Sequence, residues 1–215
     1  MASINRRSAN TVVALGIAGI PFLACAQAQG PVPREFKAAR ENVKNRGNAP
    51  IAFLNELVDW GATAPDEIFA FKKNEGIYAR VRPELGPWRG DRHRRAVMLE
   101  VLRVLGGFES AWDWQAGVDV TNPNSQTPCT EEAGIFQCSG DSMQFNPVLK
   151  TMLVQAGGDA SCDTFRRVTK QNHVFAIEYC ARLLRETVEH HGPVKGRHIN
   201  PWLQRAAVEE FLSYL

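Results

Sequence analysis

The stretch GGFESAWDWQAGVD, residues 106–119, carries side chains suited to chemistry: a carboxylate at Glu109, a hydroxyl at Ser110, indoles at Trp112 and Trp114, and a second carboxylate at Asp119. In helical phase Val101, Leu105 and Glu109 are successive i, i+4 positions on one face. Glu109 is therefore expected to point where the apolar side chains point. Poor solvation favours a neutral carboxyl group, and a glutamic acid that keeps its proton near neutrality is a general acid. Gly106 and Gly107 each cost about 1 kcal/mol in a helix interior, so close approach of another helix or of a bound polymer is the expected compensation. The two indoles offer flat apolar surface that suits sugar rings, although tryptophans more often sit in cores. A helix that simply stopped at the two glycines would leave Glu109 as an ordinary surface residue.

Further acids follow at Glu131, Glu132 and Asp141. Cleaving a glycosidic bond normally takes one acid that protonates the leaving oxygen and a second carboxylate. If water attacks with inversion, the two carboxyls stand about 6.5–9.5 Å apart. If a sugar hydroxyl attacks instead, one acid can serve both proton transfers. Each downstream acid taken alone reads as a loop or capping residue.

Helices must position these groups. Residues 49–61, APIAFLNELVDWG, put Ile51, Leu54, Leu57 and Val58 on one face, with Gly61 as the stop. Thr63 is a candidate cap for a helix opening with Pro65, Asp66 and Glu67. Residues 82–92 read as loop. RRAVMLEVLRVLGGFES, residues 94–110, predicts a strong helix with Val97, Val101, Leu102, Leu105 and Phe108 on one side and Arg95, Glu100 and Arg103 on the other. Residues 121–140 turn to Asn, Pro, Ser, Thr, Gly and Cys, which reads as a long loop or a short strand pair pinned by its own cysteines. Helices are expected from Asn146 to a Gly157-Gly158 stop, from Asn172 to Gly192, and from an Asn200 cap with Pro201 in the first turn. No repeat and no βα alternation is present. The fold class expected is mainly α: a helical domain with one irregular, disulfide-pinned loop or small β lobe.

The chain has 215 residues and a formal charge of +2, a size that favours one domain. Residues 1–28 have the form of a secretory signal, with Arg6 and Arg7, an apolar run from Thr11 to Ala24, and Ala26-Gln27-Ala28 for cleavage. Residues 29–48 read as a linker or loosely docked segment, and 49–215 as the functional domain. The expected product is periplasmic or secreted, with no other span able to cross a bilayer. A near-neutral mature chain argues against a nucleic-acid partner. The local basic run Arg80, Arg82, Arg89, Arg92, Arg94 and Arg95 reads as a solvated region; a contact surface for an anionic polymer or a partner protein is the sharper reading.

Cys25 lies in the signal, and four cysteines remain: Cys129, Cys138, Cys162 and Cys180. In an exported chain these read as two disulfides, and proximity favours Cys129–Cys138 with Cys162–Cys180. No CxxC or HExxH occurs, and no histidine stands at ligand spacing from a cysteine, so no metal site and no cofactor are expected. The chain also lacks GxSxG and a phosphate loop. A cysteine–histidine hydrolase would need a free thiol, which two disulfides would not leave.

Glu109-Ser110 at a helix end, followed about 25 residues later by EAGIFQCS (residues 132–139), resembles the lysozyme-like superfamily. The pattern is most similar to goose-type lysozymes and soluble lytic transglycosylases over residues 95–145. The transglycosylase pattern has Gly-Leu-Met-Gln where this chain has Gly-Ile-Phe-Gln. The resemblance implies a helical muramidase fold, a monomer, and peptidoglycan or a related amino-sugar polymer as partner. It implies Glu109 as the general acid and Asp119 as a residue that positions water, with Glu132 or Asp141 in a similar part. Ser110, Trp112, Glu132, Gly134, Ile135, Phe136 and Gln137 are the implied substrate contacts. Chitin or chitosan cleavage on the same fold is an alternative, as is a non-catalytic secreted protein that binds glycan through Trp112, Trp114 and Gln137.

Overall fold

A long helix whose entire girth is buried is the axis of the structure. The computed structural model describes residues 33–118 and 120–215. The expected signal, residues 1–28 with Cys25, lies outside them. Residues Arg34–Leu215 form one compact unit. It contains α1 (Ile51–Thr63), α2 (Ile77–Leu85), α3 (Asp91–Ser110), a two-residue hairpin of β1 (Glu132–Ala133) and β2 (Cys138–Ser139), α4 (Pro147–Gly157), α5 (Cys162–Gln171), α6 (His173–Glu186), α7 (Gly192–Lys195) and α8 (Arg205–Tyr214). Mainly α is the class that results. No helix among the described residues is long and apolar enough to cross a membrane.

Helix α3 has 20 residues and packs against α1, α6, α7 and α8. Its apolar face is the one the periodicity predicts, but the opposite face is buried too. Glu100 and Arg103, expected to face solvent, are both 0% exposed and pair with each other at 2.7 Å. The glycines do not end α3. The helix runs through Gly106 and Gly107 to Ser110 and closes with the amides of Ala111 and Trp112 bonding to the Gly107 and Gly106 carbonyls at 3.2 and 3.1 Å. Ala111 and Trp112 both take positive φ, 56° and 61°, a conformation that costs an L-residue about 1–2 kcal/mol. The Trp112 indole offsets this by folding back over the glycines, where Nε1 donates to the Arg103 carbonyl at 2.8 Å.

The bare Gly107 backbone is what admits that ring. A Cβ there would stand 2.7 Å from Cζ2 of Trp112. Gly107→Ala gains about 1 kcal/mol of helix propensity and still should lose about 1–3 kcal/mol net from the overpacked ring. Urea unfolding reads the sign directly; a variant as stable as the parent would mean that the indole moves aside without cost.

Several local expectations are corrected. Helix α1 continues past Gly61, and Thr63 is its last residue, with Oγ1 donating back to Asp59 and Trp60 carbonyls. Only a single 3₁₀ turn follows at Asp66–Ile68. Helix α2 occupies part of the expected 82–92 loop, and α6 stops at Glu186, short of Gly192. Of residues 29–48, those described dock on the body of the fold: Phe36, Ala39 and Val43 are buried, and Glu210 of α8 accepts from the amides of Lys37 and Ala39 at 2.6 and 2.7 Å.

Most of the basic run is solvated as expected: Arg82, Arg89 and Arg92 are exposed and Arg80 and Arg95 half-buried, while Arg94 lies in the core. Arg94 is buried over the Tyr78 ring at 3.8 Å, with Nε on the Phe69 carbonyl at 2.5 Å. Arg82 pairs with Glu75, Arg89 with Glu209 and Arg95 with Asp66. Arg82 and Arg89 keep about half of their side chains in solvent, so theirs are surface ion pairs.

Candidate active site

The C-terminal turn of α3 delivers Glu109 into the wall of a polar cleft of about 630 Å³. The hairpin supplies Glu132, Gln137 and Ser139. The loop before it supplies Asn122, Asn124 and Thr130, the 3₁₀ turn Gly140–Phe145 supplies Asp141, and the turn after α6 supplies His190 and His191. Glu109 and Glu132 thus share one cavity with Asp141 and Gln137. Asp119 lies outside the described residues.

The hairpin's sequence dictates how it feeds the cleft. Glu132 pairs with Ser139 and Ala133 with Cys138, so side chains alternate across the ribbon. Gln137 and Ser139 line the cleft, while Cys138 is 1% exposed in the core. Gly134 makes the turn with φ +69°, and a Cβ on it would stand 2.9 Å from Cγ2 of Thr169 and 3.1 Å from the Thr169 carbonyl. Only glycine fits both constraints. Ser110 Oγ donates to the Ile135 carbonyl at 2.9 Å, tying the end of α3 to this turn.

Several implied substrate contacts are structural instead. Ile135 and Phe136 are fully buried, because they anchor the turn in the core. Gly134 is buried against α5 and Ser110 is a tether. Trp112 is 5% exposed, covering the α3 glycines, and does not line the cleft. Trp114 stacks on His173 at 3.7 Å, and that ring in turn bonds to Glu56 at 2.7 Å. The two indoles therefore do not form a sugar platform in this cleft.

The cleft carboxylates differ in their partners. Glu132 accepts from Asn122 Nδ2 at 2.5 Å and from Ser125 Oγ. Asp141 accepts from Ser139 Oγ at 2.6 Å. Glu109, whose side chain is 17% exposed, has Oε1 3.3 Å from Nδ1 of the buried His191. Nε2 of the same ring is 3.7 Å from Cys138 Sγ and 3.7 Å from Cys180 Sγ. A carboxylate, an imidazole and two thiols form one chain running from the cleft into the core.

Their electrostatics are mutual. Hydrogen bonding from Cys180, against the effect of burial and with help from His191, brings the Cys138 thiol down to about 6. Burial opposes charging of His191, but Cys138 and then Glu109 outweigh it and push the imidazole up to about 10. Burial, and secondarily Cys138, pushes the Cys180 thiol well up. Burial with the nearby His191 takes His190 down to about 3, so that ring is neutral at physiological pH.

The cysteine pairing differs from expectation. Cys129 joins Cys162, linking the 121–131 loop to the first residue of α5, while Cys138 and Cys180 are free and buried. The inward-facing register of β2 separates Cys138 from its chain neighbour Cys129, which is why proximity in sequence misleads. No histidine stands at ligand spacing from a cysteine along the sequence, but the fold brings His191 to Cys138 across 53 residues. A search of protein-family models, curated proteins and solved structures finds no match to this chain.

Proposed function

We propose that the protein is an exported glycosidase that cleaves peptidoglycan at the β-1,4 bond between N-acetylmuramic acid and N-acetylglucosamine, with Glu109 as its general acid. The observation that carries this reading is the placement of Glu109: a carboxyl fixed by a helix end in the wall of a polar cleft that also contains Glu132, Asp141 and Gln137. Amide and hydroxyl groups from Asn122, Asn124, Gln137 and Ser139 suit a substrate rich in hydroxyl and acetamido groups. The likeness of Glu109-Ser110 and the Gly134–Gln137 turn to lysozyme-like enzymes supports the same assignment.

In this mechanism Glu109 donates from Oε2, the oxygen that His191 does not hold, to the glycosidic oxygen as the bond breaks. The oxocarbenium-like centre is then captured by water activated by Glu132 or Asp141, or by the muramyl 6-hydroxyl. His191 is a positioning residue: its Nδ1–H holds one oxygen of Glu109 and so limits the carboxyl's rotation. The substrate class is tested by release of soluble fragments from purified peptidoglycan, with chitin and chitosan in parallel. Fragments from peptidoglycan support the proposal; fragments only from chitin or chitosan reassign the polymer, and saturable binding without fragments points to a glycan-binding protein.

Two substitutions separate cleft from core. Gln137→Ala should raise KM for the glycan several-fold, through loss of one hydrogen bond of about 0.5–1.5 kcal/mol, with little change in stability. Trp112→Phe should do the opposite. It should lower stability by about 1–3 kcal/mol, because Nε1 no longer serves the buried Arg103 carbonyl, and leave KM unchanged. A large rise in KM for Trp112→Phe would return the indole to the substrate site.

A further inference from the structure

Cys138, Cys180 and His191 have ligand atoms all within 4.8 Å of one another, and all three side chains are buried. Two explanations other than a bound ion meet a geometric obstacle. An imidazole nitrogen has one in-plane direction, a lone pair or an N–H, and can serve one sulfur well. Here two sulfurs stand at the same 3.7 Å from Nε2, so the ring can bond well to one of them and leaves the equal approach of the other unexplained. Nor are the sulfurs bonded to each other, although Cys129 and Cys162 in the same chain are.

The geometry points to a zinc site: we propose that Cys138 Sγ, Cys180 Sγ and His191 Nε2 bind one Zn²⁺ ion. A tetrahedral zinc, about 2.3 Å from sulfur and about 2.0 Å from nitrogen, holds sulfur and nitrogen about 3.6 Å apart. Both observed separations match. The charge also balances. Two thiolates and a neutral imidazole offset a dication, giving a neutral centre that can lie among residues no more than 2% exposed. A monovalent ion would leave a net negative centre buried beside Glu109. Binding displaces two protons, one from Cys180 and one shared between Cys138 and His191 Nε2.

The second shell fits as well. A metal-bound imidazole commonly donates its other N–H to a carboxylate, which fixes the tautomer and the ring plane. Here Nδ1 faces Glu109 Oε1 at 3.3 Å. Zinc would join β2 to α6 and to the turn before α7, and would hold the ring that holds Glu109. The site does not depend on the glycosidase reading; a zinc protein that cleaves no glycan would leave it standing.

The test is metal analysis of the full purified protein, metal-free and reconstituted with zinc alone. One zinc per chain should survive desalting, and its addition should raise the unfolding temperature. Cobalt in its place should give the sulfur-to-metal charge transfer and the visible bands of a tetrahedral thiolate site. Cys138→Ser and His191→Gln variants that retain their helical circular dichroism should lose stoichiometric zinc. The cobalt spectrum of the native chain keeps the test decisive if those variants do not fold. Metal-free protein with Cys138 and Cys180 joined by a disulfide in peptide mapping would overturn the proposal, as would zinc retained undiminished by either variant.

Discussion

Arg103→Met should lower the unfolding free energy by about 3–5 kcal/mol, the loss expected when one partner of a buried ion pair is removed. Arg103 meets Glu100 through two hydrogen bonds of 2.7 Å and also donates to the Glu41 and Trp202 carbonyls at 3.2 and 3.3 Å. The pair thus clamps the segment before α1 and the entry to α8 onto α3. Without the guanidinium, Glu100 keeps the Gln204 amide at 2.9 Å but no counter-charge. At about 2–4 °C per kcal/mol for a chain of this size, the drop in Tm is easily resolved.

The pH dependence of that loss has a definite sign. Burial pushes the Glu100 carboxyl up, and Arg103 pulls it down. Removing Arg103 leaves the upward effect of burial with less opposition. A carboxyl whose folded value lies above its unfolded value disfavours folding once the unfolded chain ionises, and not below that pH. The deficit of Arg103→Met should therefore be largest near neutrality and shrink on acidification. Arg103→Met combined with Glu100→Leu should recover much of the loss, because neither buried charge remains. A pH-independent loss, or a double variant no better than the single, would mean that the packing of the arginine stem dominates.

Glu109→Gln should reduce glycan cleavage by at least about 10²-fold while leaving the fold intact. Glutamine has nearly the same shape, and its carbonyl oxygen can still accept from His191 Nδ1, so packing around the cleft is kept. The effect should fall on kcat, since the proton is needed only as the bond breaks. Glu132→Gln and Asp141→Asn divide the two routes for the second half of the reaction. Loss of activity in one of them identifies the carboxylate that activates water. Activity retained in both, with 1,6-anhydro products, assigns the attack to the muramyl hydroxyl.

One residue of this site, Glu109, was legible as periodicity. The i, i+4 phase of Val101, Leu105 and Glu109 placed the carboxyl, because the apolar stripe of α3 runs unbroken to its last turn. Of the Gly134–Gln137 stretch that the resemblance implies as groove lining, Gln137 lines the cleft, while Gly134 turns the hairpin at positive φ and Ile135 and Phe136 anchor it in the core. The burial of Glu100 and Arg103 was not legible, since each neutralises the other's cost and leaves two polar letters on what looks like a solvent face. Helix α5 was missed between two loop-like stretches. Ser161, whose side chain accepts from the Thr164 amide, and the apolar pair Phe165 and Val168 were the available signal. Trp112, a substrate contact by resemblance, takes instead the core position that tryptophans more often have, because the left-handed turn at residues 111 and 112 folds its ring back over the α3 glycines. The cysteine–histidine cluster joins a strand, a helix and a turn, and no local spacing rule reaches across three elements.

The most direct measurement is mass spectrometry of purified peptidoglycan incubated with the native protein and with Glu109→Gln. The native protein should release muropeptides cut at the N-acetylmuramic acid–N-acetylglucosamine bond, hydrated or in the 1,6-anhydro form, and the variant none. Equal cleavage by both proteins, or none by a folded native protein, would contradict the proposed function.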